Sequence, residues 1–390
     1  MKFLIINTDY PEFLNWFYNK HHGLEGQSYE EQMRRRNESL FGVADFYSSN
    51  LRKLGHDAWD VHANNEFIQK AWARQHGKKI KESSPLIQRW QNTLQQLYGM
   101  TDYAPLSYFN SSFRPILRLV GSWFYDILEA QIKYYKPDVL INQAMSEISS
   151  HFMRNMKPLV RLLVGQVASP LPEGVDYSYY DLVISSLPNF VKYFRQKGIR
   201  AELHRLAFEP QILSALENNR REIPVSFVGS LSKNHKNRVS LLEYLCGHLD
   251  VEVWGQGVDS LPANSIIRQH YKGKVWGIEM YKILNNSKIA LNYHIDVAES
   301  YANNIRLFEA TGTGTLLITD WKMNLHEMFE PSREVVAYHN LEECAELIQY
   351  YLKNNNEREA IARAGQGRTL KEHTYYRRVG ELVDIIQKCL

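Results

Sequence analysis

Eight short apolar runs, set between helical patterns, constrain this chain more than any other feature. They read FLIIN (3–7), DVLINQ (138–143), LVRLLVGQVA (159–168), DLVISS (181–186), VSFVGS (225–230), VEVWGQG (251–257), KIALNYH (288–294) and TLLITD (315–320). Most are apolar on successive rather than alternate residues, so both faces of each strand should be covered. Helical patterns lie between them, among them 44–56, 122–138, 189–199, 235–249, 278–287 and 341–354, and several stop at glycine or proline. Strand and helix in alternation predict an α/β protein built on parallel sheets.

The alternation runs twice. One series ends near LHRLAFEP (203–210), and another begins at IPVSFVGS after the polar stretch ALENNRREI (215–223). At 390 residues the chain is also too long for one ordinary core. The expected organisation is a first domain over 1–207 with a helical insertion at about 64–120, a second over 208–370, and a C-terminal helix, 371–390, packing back on the first. Two doubly wound domains facing each other leave a cleft at the carboxyl ends of their strands, where such sheets bind ligands.

Bulk properties narrow the function classes. The composition, 44% hydrophobic and 23% charged, is that of a soluble globular protein. Cys246, Cys344 and Cys389 lack metal-type spacing and read as reduced residues, which points to a reducing compartment. The N-terminal apolar run is too short for a signal-peptide core, and no stretch approaches membrane-spanning length, so a cytoplasmic location is expected. The net charge is +3, and residues 1–207 hold 25 basic against 20 acidic side chains. That excess is either a solvated surface or a weak bias toward an anionic partner, such as peripheral contact with the inner face of a membrane. No nucleic-acid signature is present.

Four segments of the second domain follow strands and should share one crevice. In FVGSLSKNHKNRVSLLEYL, Gly229 and Ser230 end a strand and a helix begins near His235, with Lys236 and Arg238 in its first turn. Cations there oppose the helix dipole, so they mark either an anion site or a solvated helix start. Gly255 and Gly257 in VWGQG allow close approach by a ligand or simply make tight turns. Tyr293 and His294 end the next strand, and Asn304 is placed to cap the helix that follows. That helix opens IRLFEATGTGTLLITD, where Glu309 lies on the sheet-facing side and Arg306 stands three residues before it. A buried carboxylate needs a partner, either Arg306 or the hydroxyls of a ligand.

Together FVGSLSKNHKNR, MYKILNNSKIALNYH and NNIRLFEATGTGTLLITDWKMNLHEMF resemble the GT-B glycosyltransferases, more narrowly the branch typified by the spore maturation protein CgeB. YDLVISSLPNFVKYFRQKGI and AFEP in the first domain are also similar to that branch. The resemblance is best over about 180–350. It implies the GT-B fold, two Rossmann-like domains across a cleft, and transfer of a sugar from a nucleoside diphosphate to an acceptor hydroxyl. By the same resemblance Glu309 accepts hydrogen bonds from the donor ribose and Lys236 touches the diphosphate, with Arg238 and Arg306 as helpers. Many retaining relatives carry a second glutamate eight residues earlier, where this chain has Tyr301, with Glu299 nearby.

No Asp-x-Asp triplet occurs, so metal-independent transfer without a cofactor is expected. Inversion would need a base from the first domain, and retention by front-face attack, in which the leaving phosphate takes the proton, is the favoured course. The acceptor, a glycan, cell-surface or small molecule, should meet first-domain strand ends: Asn142, Gln143 and Gln166, with Asp9 as a base or simply a turn residue. His151 reads as a packed helix residue. Two other classes stay open: a sugar-nucleotide epimerase of similar fold, and a non-catalytic glycan- or partner-binding module.

Overall fold

A computed structural model describes residues 1–80, 122–171, 174–217, 221–231 and 236–390, with the side chains of Ser122 and Lys236 excepted. Beyond residue 80 the insertion expected at 64–120 lies outside the described residues. The chain divides into two compact units. One comprises Met1–Ser185, Phe190–Leu203 and Leu382–Leu390, and the other Ser186–Asn189 and His204–Glu381.

The first unit holds strands β1 (Lys2–Asn7), β2 (Asp57–His62), β3 (Val139–Asn142), β4 (Leu162–Gln166), β5 (Leu182–Ser185) and β6 (Ala201–Leu203). They pair side by side, all parallel, in the order β2-β1-β3-β4-β5-β6. Register sets Ile5 beside Ile141 and Leu140 beside Leu163. Leu4, Ile6, Leu140, Leu163 and Val183 are buried in one apolar cluster with Ile132 and Phe194, which come from the helices Ser122–Tyr135 and Pro188–Gln196. A parallel pair needs a crossover, and helices make these crossovers over the sheet.

The second unit holds β7 (Ile223–Val228), β8 (Glu252–Trp254), β9 (Tyr271–Gly273), β10 (Ser287–Asn292), β11 (Leu316–Asp320) and β12 (Val336–Tyr338). Its order is β12-β11-β10-β7-β8-β9, again all parallel. Counted within the unit, that is the 3-2-1-4-5-6 order of dinucleotide-binding sheets. Val225, Phe227, Ile289, Leu291, Leu316 and Ile318 form its core against Leu241, Leu245 and Ile348 from the helices Lys236–His248 and Leu341–Lys353. Both sheets are thus doubly wound, as the alternation predicts. Among the described residues no helix is long and apolar enough to cross a membrane.

All eight apolar runs overlap strands of the sheets. The four strands without such a run are β2, β6, β9 and β12, and these are the four sheet edges. An edge strand has one neighbour and less cover, so it needs no continuous apolar run, and three of the four span only three residues.

Candidate functional site

In the second unit, β7 and β10 are neighbours while the chain leaves β7 toward β8 on one side and β10 toward β11 on the other. Their connections diverge, which opens a crevice at the carboxyl ends of the two strands. Gly229, Ser230 and Leu231 follow β7 there, and Tyr293 and His294 follow β10. Arg238, in the first turn of the helix Lys236–His248, ties these two segments together. Its Nη1 donates to the Ser230 carbonyl at 2.9 Å and its Nη2 to the Tyr293 carbonyl at 2.9 Å. The guanidinium lies over the Phe227 ring, 5.6 Å from the centroid.

Arg238 is buried, and among the described residues no carboxylate comes within ion-pair distance of it. Its Nε has no hydrogen-bond partner among the described residues. Burial, with the charge of Arg306 adding to it, pulls the guanidinium down to about 10. Asp320 and Asp296 act on it only beyond ion-pair distance, so the buried cation is held at a cost that an anionic ligand would relieve. The side chain of Lys236 and residues 232–235 lie outside the described residues.

The glycines of the crevice serve the chain's own packing. Gly255 has φ +134°, and a Cβ there would sit 2.0 Å from the Gly229 carbonyl oxygen. The two turns are further joined by Gly229 N–H donating to the Trp254 carbonyl at 3.0 Å and Leu231 N–H to that of Gln256 at 2.8 Å. Gly257, at φ +98°, starts a single 3-10 turn, Val258–Ser260. The Gly229 contact accounts for Gly255, and the left-handed turn for Gly257, without a ligand.

Glu309 sits on the helix Ile305–Gly312 and is buried, as its apolar surroundings in the sequence require. Its Oε2 lies 2.8 Å from Arg306 Nη1, and its Oε1 accepts from the Tyr281 hydroxyl at 3.0 Å. The question raised by a carboxylate on the sheet side therefore has an answer within the protein. The answer is partial, because Oε2 faces the cation without a well-formed hydrogen bond. Asn304 caps the helix, its Oδ1 accepting from Arg306 N–H at 2.8 Å. Tyr281, on the preceding helix Ile278–Asn286, is a partner that spacing along the sequence does not reveal.

His294 and Asp320 form a second buried pair. His294 Nδ1 is 2.6 Å from Asp320 Oδ1, and the His294 backbone N–H donates to the same oxygen at 3.0 Å. Lys322 Nζ stands 3.4 Å from Asp320 Oδ2. Burial works to raise the Asp320 carboxyl, but His294 and Lys322 together hold it below its ordinary range. The runs TLLITD and KIALNYH end on Asp320 and His294, so both residues were visible in the sequence as strand ends; their pairing was not.

In the first unit the crevice lies between β1 and β3. Asp9, the candidate base, is buried rather than presented. Arg36 donates to both its oxygens, and His62 Nδ1 lies 3.3 Å from Oδ2. Although burial opposes it, the charges of Arg36 and His62 hold the Asp9 carboxyl far below the usual carboxylate range. So paired, it is a weak proton acceptor. Asn142 is also spent internally: its Nδ2 donates to the Tyr180 hydroxyl at 2.7 Å and its Oδ1 accepts from Ala144 N–H. Gln143 and Gln166 are half-buried and linked, with Gln143 Nε2 donating to Gln166 Oε1 at 2.9 Å and Gln166 Nε2 donating to the Tyr47 hydroxyl. His151 is exposed rather than packed and bonds Asn155.

Glu147, which the sequence did not single out, sits in the loop after β3. Its carboxyl meets the Thr8 side chain after β1, and burial pushes it above its ordinary value.

Comparison with known proteins bears on this geometry. No curated protein matches the chain in sequence. Among solved structures, the chain is similar to HepE from Anabaena in complex with UDP and glucose, at 11% identity, 100% of each chain covered and a TM-score of 0.57. Sucrose-phosphate synthase from Thermosynechococcus elongatus has 10% identity, with 100% of this chain and 98% of that one covered, at 0.57. A glycosyltransferase from Rickettsia africae has 12% identity over 100% and 98%, at 0.56. At such identities the likeness is one of fold. The two units have the GT-B fold of glycosyltransferases, and residues 212–384, which include the whole crevice around Arg238, match the family described as glycosyl transferase-like.

Proposed function

We propose that the protein is a metal-independent glycosyltransferase of the CgeB-like branch, moving a hexose from a nucleoside-diphosphate sugar to an acceptor hydroxyl. The observation that carries this reading is Arg238: a buried cation, lacking a carboxylate partner among the described residues, placed across the switch point of a dinucleotide-type sheet. A departing diphosphate is the anion such a site suits. The UDP and glucose bound in the HepE structure, on the same fold, favour a UDP-sugar.

In this reading Arg238 and Lys236 hold the diphosphate, with the Gly229–Ser230 turn close by. Ribose hydroxyls complete the bonding of Glu309 Oε2 beside Arg306, and Tyr293, His294 and Asn304 border the donor. Acceptor contact falls to Gln143 and Gln166. The ion pair that occupies Asp9 supports transfer with retention, in which the leaving phosphate takes the acceptor's proton and no protein base is needed.

A thermal-shift titration with UDP, GDP, TDP, ADP and CDP tests the donor site. One nucleotide at about 100 times its dissociation constant should add about 2.7 kcal/mol to the wild type. Arg238→Met keeps an unbranched side chain beside Phe227 but removes the cation, and should lose most of that gain. No response of the wild type to any nucleotide would remove the reading's support.

A further inference from the structure

The carboxyl ends of β1 and β3 meet at the switch point of the first sheet, where a doubly wound sheet binds its ligand. Several polar groups at this edge are engaged within the protein. Asn142 bonds Tyr180 and Ala144, Asp9 is held by Arg36 and His62, and Asn7 Oδ1 accepts from the Thr8 N–H at 2.8 Å. Two acceptors stay open. Gln143 commits its Nε2 to Gln166, but its Oε1 is buried with no hydrogen-bond partner among the described residues. Glu147 is half-buried, and its carboxyl meets the Thr8 side chain without a cation at ion-pair distance among the described residues. Its place is fixed, because the Glu147 N–H donates to the Ala144 carbonyl at 3.0 Å and the next residue, Ile148, is buried in the core.

Two open acceptors call for a ligand group that brings donors. Charge narrows the choice. Burial disfavours the ionised Glu147, and the nearby Asp9 carboxylate adds to the penalty. The cation closest to hand, Arg36, is already bound to Asp9. A neutral hydroxyl would supply a hydrogen bond and leave the charge of Glu147 uncompensated. A primary ammonium supplies three donors and the missing positive charge together.

We infer that the first-unit crevice takes an acceptor bearing a primary ammonium group, an amino sugar or an amino alcohol, which pairs with Glu147 and has Gln143 Oε1 as a second acceptor. This deepens the proposed transferase reading and rests on it. The reacting group remains a hydroxyl of the acceptor, and the ammonium passes through the transfer unchanged. Glu147 is thereby a specificity residue and takes no proton from the reacting hydroxyl.

Matched pairs of acceptors test this. The full chain is supplied at about pH 7 with whichever of UDP-, GDP-, ADP- and TDP-glucose it hydrolyses. One pair is methyl glucosaminide and methyl glucoside, the other 2-aminoethanol and ethylene glycol, each differing by an amine in place of a hydroxyl. Glycosylated product is followed against acceptor concentration. In at least one pair the amine should have a KM about tenfold below that of its hydroxyl counterpart. A preference within the sugar pair identifies an amino sugar, and one within the short pair an amino alcohol. Glu147→Gln should bring the two members within about twofold, while Glu147→Asp, which keeps the charge, should retain part of the preference. The ratio within a pair is insensitive to a general loss of activity.

Equal use of both members of each pair by the wild type, or transfer to none of the four, would overturn the inference, while hydrolysis of the donor leaves the transferase reading standing. A preference that survives Glu147→Gln would overturn the role of Glu147. If no nucleotide sugar is hydrolysed, the donor reading fails and this inference with it.

Discussion

At the scale of single residues, the carboxylates of this protein divide by what neutralises them. Glu309 has Arg306 and Tyr281, Asp9 has Arg36, and Asp320 has His294 and Lys322. Glu147 has no ion-pair partner among the described residues. The first pairing was legible, because three residues apart on a helix means neighbouring positions. Asp9 with Arg36, Asp320 with His294 and Glu309 with Tyr281 join residues distant in the chain, and only the fold brings them together.

Glu147 also makes a testable statement about pH. Its folded-state value lies above its ordinary 4.5, so the folded protein binds more protons between those two values, and stability falls as pH rises through that window. Glu147→Gln removes the penalty. Urea midpoints should show the variant gaining on the wild type from about pH 4 to pH 8. A gap that stays constant would mean the carboxyl is not perturbed.

At the scale of elements, what was legible was whatever is covered on both faces. The runs VSFVGS and KIALNYH announce central strands because a doubly covered strand must be apolar throughout. The edge strand β2, DAWDVH, carries two aspartates and gives no such signal. The stretch 215–223 reads as a polar linker, yet its Arg221 is a clamp. The guanidinium donates to the carbonyls of Asn285, Ser287, Thr313 and Gly314 and to the Thr315 hydroxyl. Polar composition says where water is tolerated; it does not say which polar atoms a neighbouring element leaves to be filled.

The glycine turns give the prediction that belongs here. Gly255→Ala should destabilise by about 3 kcal/mol, since the backbone is left-handed and the new Cβ meets the Gly229 carbonyl. Gly247, inside the helix Lys236–His248 with open space around it, is the contrast, and Gly247→Ala should stabilise by about 0.5–1 kcal/mol. Thermal or urea unfolding of the two variants checks both signs.

At the scale of the whole molecule, the repetition of strand and helix predicted two doubly wound units, and their sheet orders bear that out. Order along the sheet was beyond the sequence, because it depends on which crossovers leave to the left or right. That order fixes the switch point, and the switch point is what gathers Gly229, Arg238, Tyr293 and His294. Specificity for base, sugar and acceptor depends on finer contacts than these.

The most direct test of a sugar-transfer function is to incubate the protein with UDP-, GDP-, ADP- and TDP-glucose, without added metal, and follow the products by NMR. Release of a nucleoside diphosphate together with free glucose, water standing in for the acceptor, is the predicted result. A sugar isomer still attached to its nucleotide would contradict transfer and identify an epimerase.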